Sequence, residues 1–164
     1  MVAELLDFST VLPALDVDEV SSVADINGQA VDLCIGLHQR YGCAITYVSL
    51  DRKGQPASPD PAQLAKWQAR LAQAGVDLTA VQIREGVAGC EASDVVLALN
   101  GFGARHKIQN IKPALDRLLH TLSRLVIEIR KGSGSYPFLK AYGSCNTLLP
   151  PLPERNGVEV LLVG

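Results

Sequence analysis

The sequence predicts a single α/β domain whose mostly parallel or mixed sheet is flanked by helices. Three observations support this fold class. Short apolar runs stop at glycine- or charge-rich turns, as strands with both faces covered do. Segments with apolar residues at helical spacing alternate with these runs. At 164 residues the chain encloses one core without staples, and it is read as one domain over 1–164, with residues 1–24 as an N-terminal arm.

The stretch from Asp94 to Lys131 shows the pattern in full. Val95–Leu99 reads as a buried strand that stops at Asn100-Gly101-Phe102-Gly103. The basic segment Arg105-His106-Lys107 follows, and Asn110 then caps a helix with a stripe of Leu115, Leu118, Leu119 and Leu122. Leu125–Ile129 is the returning strand. Asp116 and His120, four apart, are read as a local pair on that helix.

The remaining elements follow in order. Residues 2–12 are a short strand or ordered arm interrupted by Pro13, and Asp16, Asp18 and Glu19 form a solvated acidic turn. A helix is expected from Asp25 or Asn27 to Tyr41, ending at Gly42. Cys43–Leu50 reads as a central strand leading to Asp51, which stands where ligand crevices open in α/β sheets. Ser58 and Pro59 begin a helix carrying Leu64, Trp67 and Leu71, with Trp67 read as core. Val76–Ile83 is a further strand, the gap from Ile83 to Val95 hides a small helix or a hairpin-like return, and Gly157–Gly164 is a terminal strand. That strand is read as a sheet edge or as the end of a fragment of a longer chain, after an extended connector Pro150-Pro151-Leu152-Pro153.

Composition narrows the partners. A hydrophobic share of 48% with 20% charged residues is globular, and a net charge of −2 gives no strong nucleic-acid or membrane signal. No apolar run approaches the roughly 20 residues that span a bilayer, and the acidic beginning is unlike a secretory signal, which favours the cytoplasm. Charge is uneven: residues 1–100 hold 13 acids and six bases, a balance of −7, whereas 101–164 hold four acids and nine bases, a balance of +5. Cys34, Cys43, Cys90 and Cys145 lack paired ligand spacing, so no metal and no cofactor is called for.

The leading functional reading is binding of a small anionic metabolite, with hydrolysis as an open extension, by two glycine-rich basic loops. Asn100, Gly101, Gly103, Arg105 and Lys107 make one; Lys131, Ser133, Ser135 and Tyr136 make the other. Glu128 is a conditional catalytic residue, since an unpaired buried carboxylate is costly. One alternative is a cysteine-dependent hydrolase centred on Cys145, with His106 or His38 brought to it by folding. The other is a non-catalytic assembly subunit that contacts a protein partner or a second copy of itself.

Overall fold

A computed structural model describes residues 6–151 and 157–164. The part of the N-terminal arm before Leu6 and the Leu152–Pro153 end of the proline connector lie outside the described residues. Seven strands form one mixed sheet: β1 (Ser22–Ile26), β2 (Ala44–Ser49), β3 (Val81–Glu85), β4 (Ser93–Ala98), β5 (Leu119–Arg130), β6 (Cys145–Leu149) and β7 (Val158–Val163). Their spatial order is β3-β2-β1-β4-β5-β7-β6. The first five strands are parallel, and β7 runs antiparallel between β5 and β6. The terminal strand is therefore paired on both sides.

Two apolar layers cover the sheet. On one face, α1 (Phe8–Leu15), α2 (Val31–Tyr41) and α3 (Pro61–Gln73) supply Leu15, Leu33, Leu37, Trp67 and Leu71 to a core with Val23, Ile45, Leu97 and Val160. On the other, α4 (Lys112–Leu118) and α5 (Ser135–Leu139) bring Leu115, Leu118 and Leu139 against Ala24, Val96, Ile127 and Leu161. Parallel strands alternate side chains between these faces, so their near-continuous apolar runs are what two-sided burial requires.

Several elements differ from the sequence reading for identifiable reasons. The expected helix from Asp25 is two elements, β1 and α2, joined by a turn in which Asn27 and Gly28 take φ of 60° and 65°. A buried Asp25 breaks the apolar signature of so short a strand. The arm is a helix, α1, that retains Pro13 and packs Phe8 against Gly36. Helix α3 starts two residues later than expected, because Asp60, not Ser58, accepts from Ala62 N and Gln63 N.

The leucine stripe is also divided. Helix α4 ends at Leu118, and Leu119 and Leu122 belong to β5, where Leu122 is 75% exposed. Asp116 accordingly pairs with Lys112 and Tyr142 Oη, while His120 Nε2 reaches Asp94 Oδ1 at 2.8 Å. Between β3 and β4 there is neither helix nor hairpin. Gly86–Ala92 crosses two strands as a bare strap, where a parallel crossover is usually a dozen or more residues with a helix.

Candidate functional site

Strand order reverses between β1 and β4, and the crevice beyond the carboxyl ends of those strands is where open α/β sheets bind ligands. The turn leaving β1 defines the floor. Asn27 Oδ1 accepts from Leu50 N at 2.9 Å, tying the turn to the end of β2. Gly28 is required twice over. Its φ is 65°, and a Cβ there would lie 2.4 Å from Tyr47 Cε2.

Asp25 holds the turn from beneath. It is fully buried, and its Oδ2 accepts from Ala30 N at 3.2 Å, Trp67 Nε1 at 2.9 Å and Cys34 Sγ at 3.6 Å. Its Oδ1 is buried with no partner. Burial pushes the Asp25 carboxyl up to about 6, against the pull of the Trp67, Ala30 and Cys34 donors and, more weakly, of the Gln29 N–H. Burial, followed by the charge on Asp25, raises the Cys34 thiol in turn.

A cavity of about 190 Å³ opens over this turn, lined by Gly28–Leu33, Leu99 and the α3 residues Gln63, Lys66, Trp67 and Arg70. Ala30 and Trp67, which line it, both donate to Asp25, so the carboxylate lies directly behind the wall. At one side of the turn Asn100 Nδ2 donates to Gln29 Oε1 at 3.1 Å, bridging the loops after β4 and β1. Asn100 itself is left-handed, with φ of 53°. At the other side Asp51 Oδ1 accepts from Lys53 N and Gln55 N, and the side chain is exposed.

The two glycine-rich loops do meet at this end of the sheet. Arg130 N donates to Gly103 O at 2.7 Å, and Arg130 Nε to Ala104 O at 3.3 Å. They do not form an anion cradle. The N–H of Gly103 is spent on His106 O, and those of Ala104, Arg105 and His106 all point at Gly101 O. A Cβ on Gly103 would meet Ile129 Cγ2 at 2.9 Å, so this glycine serves packing. Ser133 and Ser135 bond each other at 2.6 Å, and Ser135 is buried. Arg105, Lys107 and Lys131 face solvent; Tyr136 is 38% exposed, its hydroxyl raised by bonding to Glu159.

Glu128 is buried on the helix α1–α3 face of β5, and burial raises its pKa although Asn100 N–H and Arg105 favour the charged form. Cys145 and His106 are not brought together. Cys145 is level with Val163 and hence Leu125, whereas the His106 turn is bonded to Arg130. Five residues of β5 separate the two levels, about 17 Å. His106 packs its ring on Phe102 at 5.6 Å, and burial raises the Cys145 thiol.

No catalytic or binding motif in the sequence marks Asp25, Gly28 or Gln29. The signal that was available is the Asn27-Gly28 dipeptide, a turn marker that splits the segment into strand and helix.

No protein-family model and no curated protein matches the sequence. Solved structures match the fold. A precorrin-6y C5,15-methyltransferase from Geobacter metallireducens aligns with a TM-score of 0.65 at 15% identity, over 96% of this chain and 86% of that one. A ribosomal protein L11 methylase from Lactobacillus delbrueckii subsp. bulgaricus gives 0.67 at 15%, over 99% and 75%. An RNA methyltransferase from Salinibacter ruber, solved with S-adenosyl-L-homocysteine, gives 0.57 at 18%, over 95% and 88%.

These likenesses correct the functional expectations. The neighbours are methyltransferases, not binders or hydrolases of a small anionic metabolite, and the spent loop donors supply the physical reason. The Cys145 hydrolase falls with the separation from His106. The non-catalytic assembly subunit, partnered by a protein or a second copy, is likewise set aside: the fold is the one those methyltransferases share, with a cavity at its switch point. Among the described residues no helix is long and apolar enough to cross a membrane.

Proposed function

We propose that the chain binds S-adenosylmethionine at the β1–β4 switch point and transfers its methyl group to an acceptor lying over the ends of β4 and β5. The observation that carries this reading is Asp25: a buried carboxylate, one oxygen without a partner, immediately behind the wall of the switch-point cavity. The fold shared with methyltransferases directs the choice of ligand.

The residues suit such a group. An adenosyl amino acid carries a cationic head and a ribose diol. Asp25 supplies the negative field for the head. Asp51, in the loop after β2 and about 20 residues beyond Gly28, stands where an acid accepts ribose hydroxyls in nucleotide-binding α/β folds. The left-handed turn at Asn27 and Gly28 lets backbone approach the ligand closely. When bound, the cofactor supplies an electrophilic methyl on a sulfonium.

The chain's own residues orient and exclude water. Trp67 and Leu99 form apolar wall, and Asn100 stands between the cavity and the acceptor side. Glu128, next to Asn100 and with a raised pKa, takes the acceptor's proton. The cavity of about 190 Å³ is below the roughly 300–1,000 Å³ typical of small-molecule pockets, so the Gln29–Asn100 bond parts on loading. Four free cysteines suit a reducing compartment, and we place the protein in the cytoplasm.

Calorimetric titration with S-adenosylhomocysteine tests the reading. Binding is expected, weakened about tenfold or more by Asp51→Asn through loss of a charged hydrogen-bond acceptor. No binding at millimolar ligand would sink it.

A further inference from the structure

The loops at the carboxyl ends of β2, β4 and β5 carry six exposed cations: Arg52, Lys53, Arg105, Lys107, Arg130 and Lys131. None of them has an ion-pair partner among the described residues, whereas Arg70 and Lys112 are each paired with an aspartate. We infer that this rim is a track for the phosphodiester backbone of a single-stranded nucleic acid, which is the methyl acceptor. The inference rests on the methyl-transfer reading above.

Specific contacts, not proximity in sequence, make the rim continuous. Asn110 Nδ2 donates to Arg52 O at 3.1 Å, and Gly54 packs so closely on Asn110 O that a Cβ would have no room. That joins Arg52 and Lys53 to the turn following Lys107, since Asn110 N bonds Lys107 O. The turn containing Arg105 is bonded to Arg130 N through Gly103 O. Arg130 Nε is held by Ala104 O, which fixes the guanidinium at the rim and leaves its terminal nitrogens to solvent. Lys131 follows directly, its N–H on Gly157 O.

Strands β2, β1, β4 and β5 are consecutive neighbours, so the rim spans three strand spacings, about 14 Å. That length accommodates about three phosphates of an unpaired strand, whose phosphates lie roughly twice the duplex rise apart. The carboxylates nearby offset only part of it: Glu128, buried beneath the rim, is felt by Arg105 and Arg130, and Asp51 accepts from Lys53 N and Gln55 N through one oxygen, so these two acids stand against six cations. The overall charge of −2 hides the rim because 13 of the 17 acids precede Gly101. The track runs past Asn100, so a bound strand presents a base or ribose to the side of the switch point where the methyl group is delivered.

The chemistry is a phosphodiester chain, whether RNA or DNA. The test is fluorescence anisotropy of labelled single-stranded RNA and DNA dodecamers of one sequence, with the full chain. With about three phosphates neutralised, log affinity should fall against log salt with a slope of about −2, a loss of about 20-fold between 50 and 200 mM. Combined Arg52→Gln, Lys53→Gln and Lys107→Gln should weaken binding at least tenfold and flatten the slope. Arg40→Gln, at the far end of α2, should change neither. A preference for one oligonucleotide supports the track and identifies its source.

Salt-independent or absent binding overturns the inference, as does equal loss in the Arg40 variant. Equally tight binding of poly-glutamate overturns it in favour of an acidic protein. Titration of the same proteins with S-adenosylhomocysteine separates the two readings. Cofactor binding without nucleic-acid binding removes the acceptor alone, and the reverse result removes the cofactor reading.

Discussion

Trp67 Nε1 donates to Asp25 Oδ2 at 2.9 Å, joining the centre of α3 to the end of β1 inside the core. The single tryptophan of the chain is thus both packing and polar support for the candidate site. It also meets Tyr47 edge-on at 5.1 Å. Trp67→Phe keeps most of the apolar volume but removes the donor, adding to the orphaned Oδ1 a less satisfied Oδ2. We expect a loss of about 1–3 kcal/mol in urea unfolding. Unchanged stability would show that water replaces the indole.

Asp25 should also write itself into the pH dependence of folding. Its pKa is about 6 in the folded chain against an ordinary aspartate value of 3.8, so the folded state favours the protonated form. The contribution is present below about 3.8 and is lost as pH rises to about 6, close to 3 kcal/mol across the window. Asp25→Asn should remove that decline. Subtracting the variant's stability from the wild type's at pH 4, 5, 6 and 7 isolates it; a flat difference would refute the assignment. Asp94 and Asp116, whose pKa values are lowered, act with the opposite sign below the ordinary aspartate range.

Gly28→Ala tests the floor of the cavity. The new Cβ would stand 2.4 Å from Tyr47 Cε2 in a backbone with φ of 65°. Overpacking and left-handed strain each cost about 1–3 kcal/mol. Adding Tyr47→Leu should recover the steric part and leave the backbone part. Additive losses in the double variant, measured by denaturant midpoints, would mean that the clash is relieved without Tyr47.

Much of the fold was legible because two-sided burial writes itself as apolar runs: β2, β4, the core of β5 and β7 all show it. What was hidden follows from local signals overridden by tertiary structure. Ser22–Ile26 is short and carries a buried aspartate, so β1, the strand on which the site is built, looked like a helix entrance. Cys145–Leu149 is half exposed at the sheet's edge and lacked the run that marks an inner strand. The basic loops were located at the right end of the sheet, but whether their N–H groups point outward is decided by φ and ψ, which the glycines leave open.

The leucine stripe supplies a direct test of where helix gives way to strand. Leu118 is buried and ends α4, whereas Leu122 projects from β5 with 75% of its surface exposed. Leu118→Ala should cost about 2–5 kcal/mol, as deletion of a packed core leucine does, and Leu122→Ser should stay within about 0.5 kcal/mol. Comparable losses at both positions would restore one continuous helix through Leu122.

The Gln29–Asn100 bond is the element that must yield if a cofactor enters. Replacing Asn100 would disturb a left-handed residue, so Gln29→Ala is the cleaner change. A side-chain hydrogen bond of this kind contributes about 0.5–1.5 kcal/mol net, and its loss removes that cost from loading. S-adenosylhomocysteine should therefore bind about 2- to 12-fold more tightly to the variant in calorimetry. Weaker binding would reverse the role of Gln29: its amide would then contact the ligand, and the bond to Asn100 would hold it ready instead of holding the site closed.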